Sequence, residues 1–231
     1  MKKTNVSVII AVRNGERFLS EALKSVLEQE YLPDEIIVID GNSTDKTAQI
    51  ARSYTDVSCV RQKNKGISDA YNLGIKTAKG KFIAFLSHDD LWTQDKLSTQ
   101  LKYMEQHPDL QFTIAYFKYF LEKGCQPPPG FRKTLLNGSH IGRIMETLVA
   151  RREVFDRVGF FDTTLSTAED VDWFSRTSDM KTAMAVLPNL LLNKRVHDKN
   201  ISLNVEKNNI NLLKALRKSV QRKKQAANNM K

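Results

Sequence analysis

The chain has 231 residues, 41% hydrophobic and 27% charged, which is ordinary for a soluble globular protein with one large α/β core or two small ones. Its formal net charge of +10 is concentrated in the tail: eight Lys or Arg and no Asp or Glu lie from Lys207 to Lys231, which excludes a body-wide nucleic-acid surface. No stretch approaches the roughly 20 apolar residues that cross a bilayer, the apolar run after Met1 is broken at Ser7 and closed by Arg13, and Cys59 and Cys125 lack metal spacing, so a cytoplasmic protein with reduced thiols is expected.

Residues 6–10 form a short apolar run of the kind buried in a parallel sheet. After Asn14 and Gly15, the residues Leu19, Leu23, Val26 and Leu27 recur at helical spacing. Residues 36–39 give the next strand, and a polar turn at 40–45 leads into a helix near 47–53. A third strand is expected at 57–60, then a helix through Ile67, Ala70, Leu73 and Ala78. Residues 82–86 are the strongest buried strand, followed by a helix from about residue 93 to 106. This alternation predicts right-handed βαβ units around a parallel sheet. The second half is less regular, with a strand over 110–121, a Pro-rich loop at 124–130, helices at 151–157 and 169–178, and strand pieces at 183–187 and 190–196. Beyond Ser202, the residues Leu212, Leu213, Leu216 and Val220 among Lys and Arg predict a basic amphipathic helix.

Open parallel sheets bind ligands at the carboxyl ends of their strands, so polar residues just after each strand are the candidates. These are Arg13, Asn14 and Glu16, the 40–45 turn, and Ser87, His88, Asp89 and Asp90. Two adjacent carboxylates repel unless a cation sits beside them; a divalent metal bridging a diphosphate would serve, and so would simple capping of the next helix. Asp40 suits hydrogen bonding to a base or ribose, or mere turn chemistry. Glu169 and Asp170 open a helix, where they could act on a substrate or only favour the helix dipole; being about 100° apart, one of the two can aim fully at a substrate. His197 follows a strand and reads either as a packed side chain or as a ligand.

Six segments then carry a resemblance. They are VSVIIAVRNGE at 6–16, IVIDGNSTDKT at 37–47, NKGISDAYNLG at 64–74, GKFIAFLSHDD at 80–90, VGFFD at 158–162 and AEDVDW at 168–173. In this order and spacing the chain resembles the family 2 glycosyltransferases, inverting enzymes of the GT-A fold. The resemblance implies an α/β GT-A domain over 1–203, with a Rossmann-like nucleotide-sugar-binding half at 1–107 and an acceptor-binding half at 108–203 around one mixed, mostly parallel sheet. A basic amphipathic tail at 204–231 follows. It also implies that Ala11, Val12, Arg13, Glu16, Asp40, Asp69 and Asp89 surround the nucleotide, and that Asp89, Asp90 and His197 hold Mn2+ or Mg2+. Asp170 would be the catalytic base with Glu169 beside it. The donor would be a nucleotide sugar, UDP by family frequency with GDP and dTDP open. The acceptor would be a saccharide or a lipid-linked sugar of bacterial envelope polysaccharide synthesis. The chain departs from the family at Ala11 and Arg13, where Pro and Tyr are frequent, at Gly41 for a second Asp, and at Ser87 for Asp or Asn. Two rival readings are a nucleotide-sugar-binding module without turnover and a nucleotidyltransferase. Residues 207–231 are read either as a contact with anionic membrane or as a solvated end.

Overall fold

The computed structural model describes residues 4–129, 131–200 and 205–229. The expected boundary at 203, the first three residues and residues 230–231 lie outside them. Four parallel strands, β1 (Val6–Val12), β2 (Glu35–Asp40), β3 (Val57–Arg61) and β4 (Phe82–Ser87), alternate with helices α1 (Leu19–Leu27), α2 (Thr47–Arg52) and α3 (Ile67–Thr77). Then come β5 (Leu91–Trp92), α4 (Lys96–Gln106), β6 (Phe112–Leu121), β7 (His140–Ile141), β8 (Val149–Arg151), α5 (Glu153–Val158), α6 (Glu169–Asp179), β9 (Met184–Val196) and α7 (Val205–Asn229). The strand order is β3-β2-β1-β4-β8-β6-β9-β5, with β7 on β6. The long ladders are all parallel, while the antiparallel pairings of β8, β5 and β7 span two or three residues each. The sheet is thus mixed and mostly parallel, and β8 joins the two expected halves by pairing with both β4 and β6.

Strand alternation divides the core into two layers. Val6, Val8, Ile10 and Val12 of β1 face Leu19, Leu23 and Val26 of α1 and Leu97 and Leu101 of α4. Ile9 and Ala11 face Ala70 and Ile75 of α3, with Phe155 and Trp173 in the same layer. Both faces of β1 are buried, which is why its sequence is continuously apolar rather than alternating. Gly74 lets α3 lie directly on β1, since a Cβ there would meet Ile9 Cγ2 at 2.4 Å.

Three local expectations change. The helix expected from residue 93 begins at Lys96, because Thr93 N donates to Leu191 O and the chain turns once before the helix starts. The two strand pieces around Pro188 are one strand, β9, whose irregular register against β6 at Ala115–Phe117 absorbs the proline. Residues 151–157 divide between the end of β8 and α5. Among the described residues no helix is long and apolar enough to cross a membrane, and both cysteines are free thiols.

The segments at 64–74 and 158–162 meet through one side chain. Asn72 Nδ2 donates to Phe161 O at 2.9 Å, and Phe161 N donates to Asn72 Oδ1 at 2.8 Å. Ser68 Oγ donates to Leu165 O at 3.1 Å beside this pair. Asn72 therefore satisfies a buried backbone turn that no strand or helix reaches. Asn72→Ala is expected to destabilise the chain by about 2–4 kcal/mol, because both backbone groups of Phe161 lose their partner. Urea unfolding measures it, and a cost under about 0.5 kcal/mol would mean the turn finds other partners.

Candidate active site

The carboxyl ends of β1, β2 and β4 lie side by side, with Val12 opposite Asp40 and Ala11 opposite Ser87. The turns that follow are consequently neighbours. Gly41 N donates to Val12 O at 2.8 Å, and Glu16 accepts from Lys46 N at 3.0 Å. At Gly15 a Cβ would sit 2.4 Å from Val12 Cγ2 and 2.5 Å from His88 Cδ2, so only glycine lets the first turn close on the third. Asp40 is buried and accepts from Ser43 N at 3.1 Å. Gln62 N donates to Asp40 O, while the Gln62 amide reaches Asp69 Oδ2 at 3.2 Å and Asn64 holds Asp69 Oδ1 at 2.9 Å. Ala11, Val12, Arg13, Glu16, Asp40 and Asp69 thus line one edge, from β1 to the first turn of α3.

Asp89 and Asp90 have different surroundings. Asp90 is 1% exposed, and both its oxygens are engaged: Lys194 Nζ donates to Oδ2 at 2.8 Å and Arg195 N to Oδ1 at 2.8 Å. Burial raises Asp90 to about 7, with Lys194 pulling the other way. Asp89 accepts from His197 Nε2 at 3.0 Å and from Asn200 Nδ2 at 3.2 Å, both on Oδ2. Despite burial, the bond from His197 and the nearby His88 hold Asp89 well below the usual carboxylate range. His197 Nδ1 accepts from Lys199 N at 3.1 Å, so Nε2 carries the proton given to Asp89.

This donor set can be tested against a divalent cation. Among the described residues no group of three His, Cys, Asp or Glu side chains has the geometry to enclose one. Asp89 nevertheless suits Mg2+ or Mn2+, which take carboxylate and phosphate oxygens and water, and His197 Nε2 would join it only on giving up the proton it donates to Asp89. The expectation that Asp90 joins them meets a carboxylate already spent on Lys194 and the backbone of β9.

Glu146, Lys194 and Lys96 went unread in the sequence, and Arg195 was read only as the start of the motif that ends at His197. Glu146, in a 3-10 turn at Met145–Thr147, accepts from Ser87 Oγ at 2.5 Å and from Lys194 Nζ at 3.4 Å. Lys194 resists its burial because Asp90, Glu146 and Asp89 hold its ammonium well above the usual lysine value. Arg195 donates to Asp89 O at 2.8 Å and pairs with Glu21 at 2.6 Å and with Glu122, its guanidinium between the rings of Phe18 and Phe120. It fixes the backbone that carries Asp89. Beneath Glu146, fully buried Lys96 sits over the Trp92 ring and contacts Gln100 and Thr147 O; burial lowers its amine to about 7. Charge parity could have flagged Lys194 and Arg195, two adjacent cations in an apolar strand, but Glu146 has no sequence signal.

Glu169 and Asp170 open α6 after Ala168, whose φ of 61° is a left-handed conformation that side chains adopt at a cost. Burial and then the neighbouring Asp170 raise Glu169 to about 8. Burial and then Glu146 raise Asp170 to about 6. Lys194 lowers both, so Lys194 acts on the α6 acids as well as on Asp89 and Asp90, and Glu146 acts on the α6 acids as well as on Asp90. The two acid clusters share one electrostatic environment.

Comparison with known proteins accords with this geometry. Residues 7–162 match the description "Glycosyl transferase family 2". An uncharacterized glycosyltransferase of Rickettsia typhi is 35% identical over 209 residues, covering 84% of this chain and 64% of that protein. The Escherichia coli UDP-Glc:alpha-D-GlcNAc-diphosphoundecaprenol beta-1,3-glucosyltransferase WfaP is 38% identical over 121 residues, 51% of this chain and 47% of its own. The chain therefore spans less than two thirds of these relatives. A Pyrobaculum calidifontis mannosyltransferase, solved with GDP-Man and Mn2+, superposes with a TM-score of 0.73 over 96% of this chain and 65% of its own, at 19% identity, a likeness of fold. With its signature over more than half of the sequence and its strand-end acids on this frame, the chain belongs to glycosyltransferase family 2.

Proposed function

We propose that this chain transfers a sugar from a nucleoside diphosphate sugar to an acceptor hydroxyl, with inversion at the anomeric carbon. The observation that carries this reading is the meeting of Asp89 and Asp90 with Glu169 and Asp170 around Lys194 and Glu146 at the strand ends. Asp40 and Asp69 bind the base and ribose, with Ala11, Val12, Arg13 and Glu16 lining that edge. Asp89 would hold Mn2+ or Mg2+, with His197 joining it on loss of its Nε2 proton, and the ion would supply Lewis-acid neutralisation of charge on the leaving diphosphate. Asp90 stands behind them, keeping Lys194 in place. Asp170 takes the acceptor hydroxyl proton as that oxygen bonds to the anomeric carbon and the bond to the diphosphate breaks. Glu169, raised to about 8, stays protonated at neutral pH and so leaves Asp170 as the ionised member of the pair.

The E. coli relative uses UDP-glucose and a diphosphoundecaprenol-linked sugar by its name, which supports a UDP donor and a lipid-linked acceptor here. The mannosyltransferase bound to GDP-Man and Mn2+ keeps GDP in contention and favours manganese. Thermal unfolding with UDP, GDP and dTDP, with and without Mn2+, decides among them. A nucleotide at about 100 times its dissociation constant is expected to raise the Tm by a few degrees, only with Mn2+ and not in Asp89→Ala. No shift with any of the three would overturn the donor assignment.

The base assignment has a pH signature. Asp170 must be ionised to accept a proton, and its folded value is about 6. Transfer is therefore expected to be present above that pH and lost as pH falls through it. Asp170→Asn should abolish transfer while retaining nucleotide binding. A raised carboxyl is also a stability liability above its folded value, because the folded state then holds a costly charge. Asp170→Asn is accordingly expected to gain about 1–3 kcal/mol at pH 8 and far less at pH 4. An active variant, or an equal gain at both pH values, would count against this role.

Lys194→Met leaves Asp90 and Glu146 as buried acids without their cation. It is expected to cost about 3–5 kcal/mol, part of which Asp90→Asn restores when added. Denaturant unfolding of the two variants checks this. Additive losses would show that Lys194 and Asp90 are not coupled.

A further inference from the structure

Helix α7 docks on the body through its polar side. Arg222 pairs with Asp172 at 3.2 Å and with Asp179 at 3.0 Å, Lys218 pairs with Asp162, and Ser219 meets Ser175 at 2.8 Å. Asn211 binds Ser166 and Thr167, and Ala215 is the buried apolar residue among these contacts. A surface helix ordinarily turns its apolar stripe inward. Here the stripe points away: Leu213, Leu216 and Val220 are between 49 and 55% exposed, and Ile210 and Leu212 are exposed as well. Their spacing puts Leu212, Leu213, Leu216 and Val220 on one strip along the helix. Arg217 and Lys224 border that strip and Lys223 lies within it, all three exposed.

A contiguous apolar strip edged by charge marks a contact surface. Charge decides what covers it. Arg217 and Lys224 flank the strip and the sequence from Lys207 onward holds no carboxylate, so a second copy packed strip to strip would set like charges against each other. An anionic bilayer answers both features, taking the apolar side chains into the acyl boundary and the cations at the headgroups. Asp172 and Asp179 of α6, which would otherwise oppose such a surface, are already paired with Arg222 and Lys223, and Asp162 is paired with Lys218.

We propose that the outward face of α7 docks this chain peripherally on anionic lipid. The inference rests on α7 alone and stands whether or not the transfer reaction is as described above. Co-sedimentation of the full chain with phosphatidylcholine vesicles, with and without about one third phosphatidylglycerol, tests it. Binding is expected to the anionic vesicles alone and to weaken in high salt. Combined Leu213→Asn, Leu216→Asn and Val220→Asn should reduce it by about tenfold or more, with an unchanged Tm because these side chains are exposed. Arg217→Gln and Lys224→Gln should each reduce it about fivefold. Equal binding to neutral vesicles, or no binding to either, would overturn the proposal. So would a dimer in light scattering that the triple variant converts to monomer, since a second copy would then be the occupant. Transfer to a water-soluble acceptor should be unaffected in all of these variants, which keeps failure here distinct from failure of the catalytic reading.

Discussion

The cleft depends on one ammonium placed among carboxylates. Asp89, Asp90, Glu146, Glu169 and Asp170 come together where little water reaches, and Lys194 is the cation that all five share. Burying one carboxylate is costly and burying several side by side is worse, because each raises the cost of ionising the next. Lys194 offsets this for Asp90 and Glu146 by direct contact and for the others by its field. What it does not offset appears as protonation. Glu169 is pushed to about 8 and Asp170 to about 6, while Asp89, held by His197, remains ionised. A single arrangement thus sorts neighbouring acids into one that is charged, one that is neutral and one poised between.

Placing that ammonium is a matter of strand register. Successive residues of a strand point to opposite faces, so Lys194 and Arg195 cannot both enter the cleft. Lys194 goes to the acids. Arg195 goes the other way, to Glu21, Glu122 and the rings of Phe18 and Phe120. The irregular register of β9 against β6 near Ala115–Phe117 lies upstream of both residues. A shift of one residue there would exchange the two side chains, putting a guanidinium where the ammonium fits and leaving Asp89 without the donor that fixes its carbonyl. The irregularity around Pro188 is therefore part of the site's construction.

The sequence was most readable where burial is complete. β1, β2 and β4 are apolar on both faces, and their ends and the polar turns after them follow directly from pattern. The resemblance to the family then ordered those turns into a site. Legibility fell where elements are short: β5, β7 and β8 pair over two or three residues, too few to show a period, and the turn carrying Glu146 has none. Pro188 hid the continuity of β9 because a proline in a strand ordinarily marks its end. Lys194 stood out only as one of two adjacent cations in an apolar strand, and its partners did not show, for a different reason. Its role comes from carboxylates that all lie more than 20 residues earlier in the sequence, and no local pattern carries that information. Similarly, the tail showed an amphipathic helix but not which face the body would take.

That last ambiguity was resolved by α6. Its first turn presents Glu169 and Asp170 to the cleft, whereas Asp172 and Asp179 offer charge to α7. Asp172 also pairs with Arg176 at 2.9 Å, and Arg176 in turn gathers the carbonyls of Val158, Gly159 and Phe160. Because Asp172 is buried, its bond to Arg222 is screened far less than an ordinary surface pair. Had the helix docked by its leucines instead, Asp172 would keep Arg176 but lose its second cation. The charge needed to satisfy α6 therefore turns the apolar side of α7 outward. The helix bearing the proposed base and the helix bearing the exposed strip are consequently tied by buried and half-buried ion pairs, so the proposed lipid surface would receive the strip on the far side of α7 from the cleft acids of α6.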